Sequence, residues 1–287
     1  MAAEAPLITV KDLKKIYKIG TNRVYALNGI SFEVQRGEFL AIVGTSGSGK
    51  STCLNMLAGL EHPTSGTISI LGKRIDKMNE RELVAFRRDH VGFVFQSYNL
   101  IASLNAEENV SMPLVFRGVS HAKRLEAAHK YMKLIGILDQ ARHMPSQMSG
   151  GQQQRVGIAR ALVIDPDIMF ADEPTGNLDS ATTADVLQLL RRIVDEQHKT
   201  LIMVTHDPNI AAAADRQIRI VDGKITEIIE VKKKAGQQEQ GTGLAAQPQE
   251  AAATEPGADR AEPGADRAEP GEEMTEGKAE AQENENL

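Results

Sequence analysis

The chain has 287 residues, with 33 Lys and Arg against 39 Asp and Glu, a net charge of −6, only 4% aromatics and no Trp. That length supports a real core in one large or two ordinary domains, while so few aromatics argue against a stacking-based single-strand nucleic-acid binder. A single Cys excludes an intramolecular disulfide framework and a multi-cysteine zinc site.

No apolar run approaches the roughly 20 residues of a membrane helix. Met1 to Pro6 lacks a basic stretch followed by an apolar one, so no signal peptide is read and the chain is expected in the cytoplasm.

In chain order, Leu7–Val10, Val24–Val34 and Phe39–Val43 read as strands, and a helix over 50–59 follows a Gly-rich turn. Thr67–Leu71 and Val91–Phe95 are further strands. A helical stretch is expected over about 106–163, where Leu125, Ala128, Met132 and Ile135 recur at steps of three and four. Ile168–Ala171 and Leu201–Thr205 are short apolar runs, each after a helix, which is the pattern of buried parallel strands. Asp222-Gly223 between two apolar runs marks a hairpin. The architecture implied is α/β, interrupted by a helical insertion over about 97–160.

Charge divides the chain. Residues 235–287 hold Arg260, Arg267 and Lys278 against thirteen Asp and Glu, so the first 234 residues carry a net +4. In the tail Glu255-Pro256-Gly257-Ala258-Asp259-Arg260-Ala261 repeats unchanged as Glu262–Ala268. With no aromatic, Ile or Val, such a segment cannot bury enough apolar surface to offset the entropy of ordering. It is expected to be a disordered acidic tail, and residues 1–234 the folded domain.

Gly44-Thr45-Ser46-Gly47-Ser48-Gly49-Lys50-Ser51 fits the phosphate-binding pattern GxxxxGK[ST]. It lies between a strand and a helix, where the mechanism needs it. Glycines let backbone N–H groups converge on phosphate oxygens, and the helix N-terminus adds partial positive charge. Lys50 would reach the β- and γ-phosphates, and the Ser51 hydroxyl would ligate Mg²⁺. Ile168-Met169-Phe170-Ala171-Asp172-Glu173 is the complement. An apolar strand ending in two acids puts Asp172 beside the Mg²⁺ and Glu173 beside the attacking water.

Met148-Ser149-Gly150-Gly151-Gln152 opens a second helix running to about Val163, with free amides and a hydroxyl at its start. One nucleotide does not need two phosphate cradles from one chain. Two chains arranged head to tail would each supply one to the other's ATP. Cys53 reads as a small buried hydrophobe.

On these motifs, residues 7–230 resemble the ATP-binding subunits of ABC transporters. The resemblance implies a P-loop NTPase (RecA-like) core with an antiparallel β subdomain and an inserted α-helical subdomain. Met148–Gln152 looks like the LSGGQ signature, which closes on the opposite subunit's ATP. Gln96, in Phe93-Val94-Phe95-Gln96, looks like the Q-loop glutamine that contacts Mg²⁺ and the attacking water. Asp179, in Asn177-Leu178-Asp179, looks like the D-loop acid that faces the other subunit. His206 looks like the switch histidine at the γ-phosphate, and Tyr17 like the aromatic that stacks on adenine. Gly44 to Thr52 would hold the phosphates.

The implied partners are a second ATP-binding subunit, a copy of this chain, and a membrane permease docking near 97–116. The location implied is the cytoplasmic face of the cell membrane, held through the permease. The run Pro113–Val119 and the stretch Ala171–Asp179 look like the lipoprotein-releasing and macrolide-export branch. There the work is expected to be export or extraction of lipoprotein, lipid or drug-like substrates. The alternative is a cell-division-type ATPase that regulates an extracytoplasmic enzyme without moving cargo. The related cell-division ATPase typically has Ala in place of Ser48 and Glu in place of Gln152. A nucleic-acid partner is not expected, because a net +4 is a weak phosphate-binding footprint.

Overall fold

Two sheets organise residues 5–231, the part of the chain that the computed structural model describes. In chain order come strands β1 (Ile8–Ile19), β2 (Asn22–Val34) and β3 (Phe39–Val43), then helix α1 (Lys50–Leu57). Strands β4 (Ser65–Ile70) and β5 (Lys73–Arg74), helix α2 (Glu80–His90) and strand β6 (Val91–Val94) follow. Helices α3 (Ala106–Val115), α4 (His121–Leu134) and α5 (Gly150–Leu162) make the insertion. The chain then returns through β7 (Ile168–Asp172), α6 (Ser180–Gln197), β8 (Thr200–Thr205), the one-turn α7 (Pro208–Ala211), β9 (Arg216–Val221) and β10 (Lys224–Glu230).

The larger sheet has the order β10-β9-β3-β8-β7-β6, parallel except for the β9–β10 hairpin. Side chains alternate across a strand, so each strand feeds two cores. Phe39, Ala41, Val43, Met169, Ala171, Leu201 and Met203 face the helical insertion and α6. Leu40, Ile42, Ile168, Phe170, Ile202, Val204 and Ile218 face α1 and the smaller sheet. Burial on both faces explains why these strands read as unbroken apolar runs. The smaller sheet, β2-β1-β4-β5, is antiparallel. The α/β core, the antiparallel subdomain and the helical insertion are therefore as expected.

The differences have local causes. The helical stretch over 106–163 divides into α3, α4 and α5, the last starting at Gly150 as expected from the Ser149-Gly150-Gly151 opening. Gly118 and Gly136 take left-handed turns (φ 70° and 72°) at the ends of α3 and α4. The first strand extends to Ile19, because register shifts beyond Val10 absorb an irregular stretch that carries Asp12 at φ 49°. Helix α2 was not foreseen. It is started by a reciprocal capping box between Asn79 and Glu82 and buries only Leu83 and Phe86. The acidic tail lies outside the described residues.

Candidate active site

The phosphate loop is fixed by what surrounds it. A Cβ on Gly44 would lie 2.2 Å from the Ile220 carbonyl oxygen, so no side chain fits as the chain leaves β3. Gly49 turns through φ 103° directly before α1, and a Cβ there would strike the Ala26 carbonyl at 2.2 Å. The β2 strand thus presses on the loop from one side. Lys50, only 6% exposed, donates from Nζ to the Thr45 carbonyl at 2.8 Å. This bond curls the loop around its own lysine.

Beside the loop is a cavity of about 640 Å³, a size suited to a small-molecule ligand. Thr45 to Gly47 and Gly49 to Thr52 form its floor, Glu173 and His206 close one side, and Val24, Tyr25 and Ala26 form the rim. Nine residues singled out from the sequence therefore meet in one space.

Asp172 ends β7 and accepts a hydrogen bond from Ser51 Oγ at 3.1 Å. Burial pushes its carboxyl above the usual carboxylate range, and the neighbouring Glu173 charge adds to this against the Ser51 hydrogen bond. A cation at this point would relieve that burden. Ser51 and Asp172 offer two hard oxygen donors, the set Mg²⁺ takes when substrate phosphates complete its shell. Among the described residues no group of three or more His, Cys, Asp or Glu could hold a metal by itself.

Glu173 sits at φ 44°, a left-handed conformation that a glutamate adopts at some cost. Its N–H donates to the Val204 carbonyl at 3.0 Å, which pins the turn to β8. His206, at the end of β8, lies 3.1 Å from Glu173 Oε1 through Nδ1. A carboxylate can only accept, so this contact places the donor proton on Nδ1 and leaves Nε2 to face the cavity chemistry. The pair can orient a water and take or return its proton.

Other candidates stand apart from the cavity. Tyr17 is on β1, opposite Val24. Its hydroxyl donates to Glu61 Oε2 at 2.7 Å, and the Lys15 ammonium lies 5.2 Å from its ring centre. The side-chain hydroxyl of Thr52 is also within its reach. Tyr17 thus backs the end of the phosphate loop, while Tyr25 is the aromatic that lines the cavity. The sequence reading missed Val24 and Tyr25, since only the cross-strand register shows that they reach the loop.

Gln96 follows β6. Its carbonyl accepts from Asn177 Nδ2 at 3.1 Å, and its amide nitrogen sits over Gly176, where a Cβ would approach to 2.8 Å. Asp179 caps α6, accepting from the Thr182 N–H at 3.0 Å and the Thr182 hydroxyl at 2.7 Å. These bonds hold its carboxyl below the usual range. Ser149 caps α5 and forms a capping box with Gln152. Gly150 lies under the Tyr98 hydroxyl and Gly151 under a methyl of Thr182, at 2.7 and 2.4 Å from where their Cβ atoms would be. Ser149, Gly150, Gly151, Gln152, Gln96 and Asp179 do not line the cavity that holds Lys50 and Glu173.

Comparison with known proteins agrees with this geometry. The family model described as "ABC transporter" matches residues 27–176. The macrolide export ATP-binding/permease protein MacB of Hyphomonas neptunium is 47% identical over 220 residues, 77% of this chain and 34% of that protein. An ABC transporter ATP-binding protein of Thermotoga maritima is 47% identical over 214 residues, 75% of this chain and 91% of that one. Among solved structures, a dimeric post-hydrolysis state of the ATP-binding cassette MJ0796 bound to ADP and Pi is 41% identical. It has a TM-score of 0.73 and covers 79% of this chain and 99% of that one. The chain spans about a third of the length of the macrolide-export relatives it matches.

Proposed function

The chain belongs to the ABC transporter family as one of its ATPase cassettes, and from that premise we propose that two copies close head to tail around two ATP molecules. The observation that carries this is the separation within one chain. Lys50, Ser51, Glu173 and His206 share one cavity, while the capped, glycine-opened start of α5 stands outside it. The dimeric state of the similar cassette MJ0796 supports the same arrangement.

In this reading Lys50 and the amides of Gly44 to Thr52 bind the phosphates, Tyr25 at the cavity rim meets the base, and Tyr17, opposite Val24 on the paired strand, backs it. Ser51 and Asp172 would hold Mg²⁺, joined on closure by Gln96, which lies outside the cavity in the single copy; the ion would neutralise phosphate charge. Glu173 orients the attacking water and accepts its proton. His206 holds Glu173 through Nδ1 and turns Nε2 to the γ-phosphate. From the second copy, Ser149, Gly150, Gly151 and Gln152 close on the same γ-phosphate, with Asp179 at the seam. The transition-state charge then meets donors fixed in advance.

A second cavity, about 590 Å³, opens among residues of α2, β6, α3 and α5. Its walls include Val84, Phe93, Pro113 and Phe116, the last 69% exposed. An apolar recess of this size on a charged surface fits a partner's helix end. We assign it to a permease, at the later part of the 97–116 segment. None of the helices among the described residues is long and apolar enough to cross a membrane. The cassette would therefore lie at the cytoplasmic face through that permease. The likeness to macrolide-export proteins supports export or extraction of lipoprotein, lipid or drug-like substrates as the work done.

A composite site makes turnover second order in chain. Specific ATPase activity of the purified chain should rise with its concentration until the dimer saturates. Activity per chain that stays constant on dilution well below the dimerisation range would refute the shared site.

A further inference from the structure

The loop after Gln96 has a backbone that its sequence would not choose. Tyr98 and Asn99 both adopt left-handed conformations, with φ 59° and 48°. Asn tolerates this region, but Tyr does so only where its surroundings impose it. The surroundings are visible. Arg160, on the helix that the signature motif opens, donates from Nη2 to the Tyr98 carbonyl at 2.7 Å and from Nη1 to the Asn99 carbonyl at 2.6 Å. Burial pushes its guanidinium below the usual arginine range. No carboxylate among the described residues lies within ion-pair distance of it. Its charge is thus spent on two carbonyls of one strained turn, where the planar fork of an arginine fits better than a lysine.

The same turn reaches in two directions. Arg160 is itself part of the wall of the apolar cleft, together with Phe93 and Phe116. The Tyr98 hydroxyl projects onto Gly150, at 2.7 Å from where a Cβ would be, and makes no hydrogen bond there. It is a packing contact against the first residue of α5, on the end that meets the second copy's ATP. Behind the turn, Asn109 is fully buried and anchors the following residues. Its side chain accepts from the Ile101 N–H and donates to the carbonyls of Ile101, Leu104 and Asn105. The turn therefore cannot relax toward α3. Its free ends are the cleft on one side and Gly150 on the other.

We propose that Arg160 and Tyr98 are positioning residues that tie the apolar cleft to the signature motif: Arg160 holds the 98–99 turn in its left-handed form, and Tyr98 in that form fixes the Gly150 end of α5. A partner seated in the cleft acts on Arg160 first. Movement of its guanidinium frees the two carbonyls, and the Tyr98 ring then shifts relative to Gly150. Neither residue lines the cavity of Lys50 and Glu173, so the device acts on closure of the pair rather than on ATP binding to the monomer. The inference rests on the shared-site reading above.

The test uses the full chain carrying Glu173→Gln, with ATP-driven dimerisation read by sedimentation. ATP affinity of the dilute monomer is read separately with a fluorescent nucleotide. Adding Tyr98→Ala or Arg160→Gln should weaken dimerisation at least tenfold, with monomer ATP affinity within twofold of the parent. Tyr98→Phe, which keeps the ring, should retain most of the dimerisation, whereas Arg160→Lys, which keeps charge but loses the fork, should not. Thermal melting of each variant identifies any that is unfolded, and the half-exposed loop position of Tyr98 makes its variants the decisive ones. Dimerisation unchanged in Tyr98→Ala would overturn the proposal, as would a parallel loss of monomer ATP affinity. If the Glu173→Gln parent itself fails to dimerise with ATP, it is the shared-site reading that fails instead.

Discussion

At the scale of single residues, burial displaces two acids in ways that can be measured. Asp172 has its carboxyl raised by burial and by Glu173. The folded chain without nucleotide therefore holds that proton more tightly than the unfolded chain. The favourable contribution is complete below the unfolded pKa and is lost as pH rises through the raised native value. Asp172→Asn removes the charge that causes the loss. The nucleotide-free variant should melt above the parent at neutral pH, and the gap should close toward pH 4, by calorimetry across that range. With Mg²⁺ and ATP the order should invert, because on the proposed reading the neutral amide is a weaker Mg²⁺ ligand than the carboxylate. Cys53 is buried in α1 and its thiol is pushed up to about 12. It should resist alkylation at pH 8 in the folded chain and react only on unfolding.

These residues were legible for different reasons. Lys50, Ser51, Asp172 and Glu173 follow from short local patterns whose chemistry dictates residue type and spacing. Tyr25 was not, since it reaches the cavity only through the pairing of β1 with β2 and the approach of Ala26 to Gly49. The left-handed backbone of Glu173 was equally hidden. Nothing in the residue announces it, and its cause is a hydrogen bond to Val204 thirty-one positions away.

At the scale of elements, the buried strands β3, β7 and β8 were readable because two apolar faces leave a continuous apolar run. Helix α2 was not, because two buried side chains in eleven residues make too weak a period. Its start depends on Asn79, whose side chain accepts from the Glu82 N–H at 3.0 Å while Glu82 answers at the Asn79 N–H at 2.8 Å. Asn79→Ala should cost about 1 kcal/mol of stability, read by urea denaturation, with ATP turnover unchanged. Phe170 lies in the centre of the core between the larger sheet and α1 and is completely buried. Phe170→Ala should cost roughly 3–5 kcal/mol; a loss under 1 kcal/mol would mean that this core is not packed as described. Within the insertion the start of α5 at Ser149-Gly150 was legible, whereas the break between α3 and α4 at Gly118 was not, because a single glycine there punctuates the stretch.

At the scale of the whole molecule, the net charge of −6 is divided between a mildly basic cassette and an acidic 235–287. The negative charge of the whole says nothing about the site, where Lys50 and the start of α1 line the cavity. Within one copy the start of α5 stands outside the cavity of Lys50 and Glu173, and the proposal that a second copy brings the two together was the one long-range conclusion available from sequence, through the presence of two anion-binding helix starts. The most direct test is the mass of the Glu173→Gln chain by sedimentation equilibrium with and without ATP. The shared-site account predicts a monomer of about 31.2 kDa without nucleotide. With ATP and Mg²⁺ it predicts a species of twice that mass, abolished by Lys50→Ala. A chain that binds ATP tightly yet keeps the monomer mass at every concentration would contradict it.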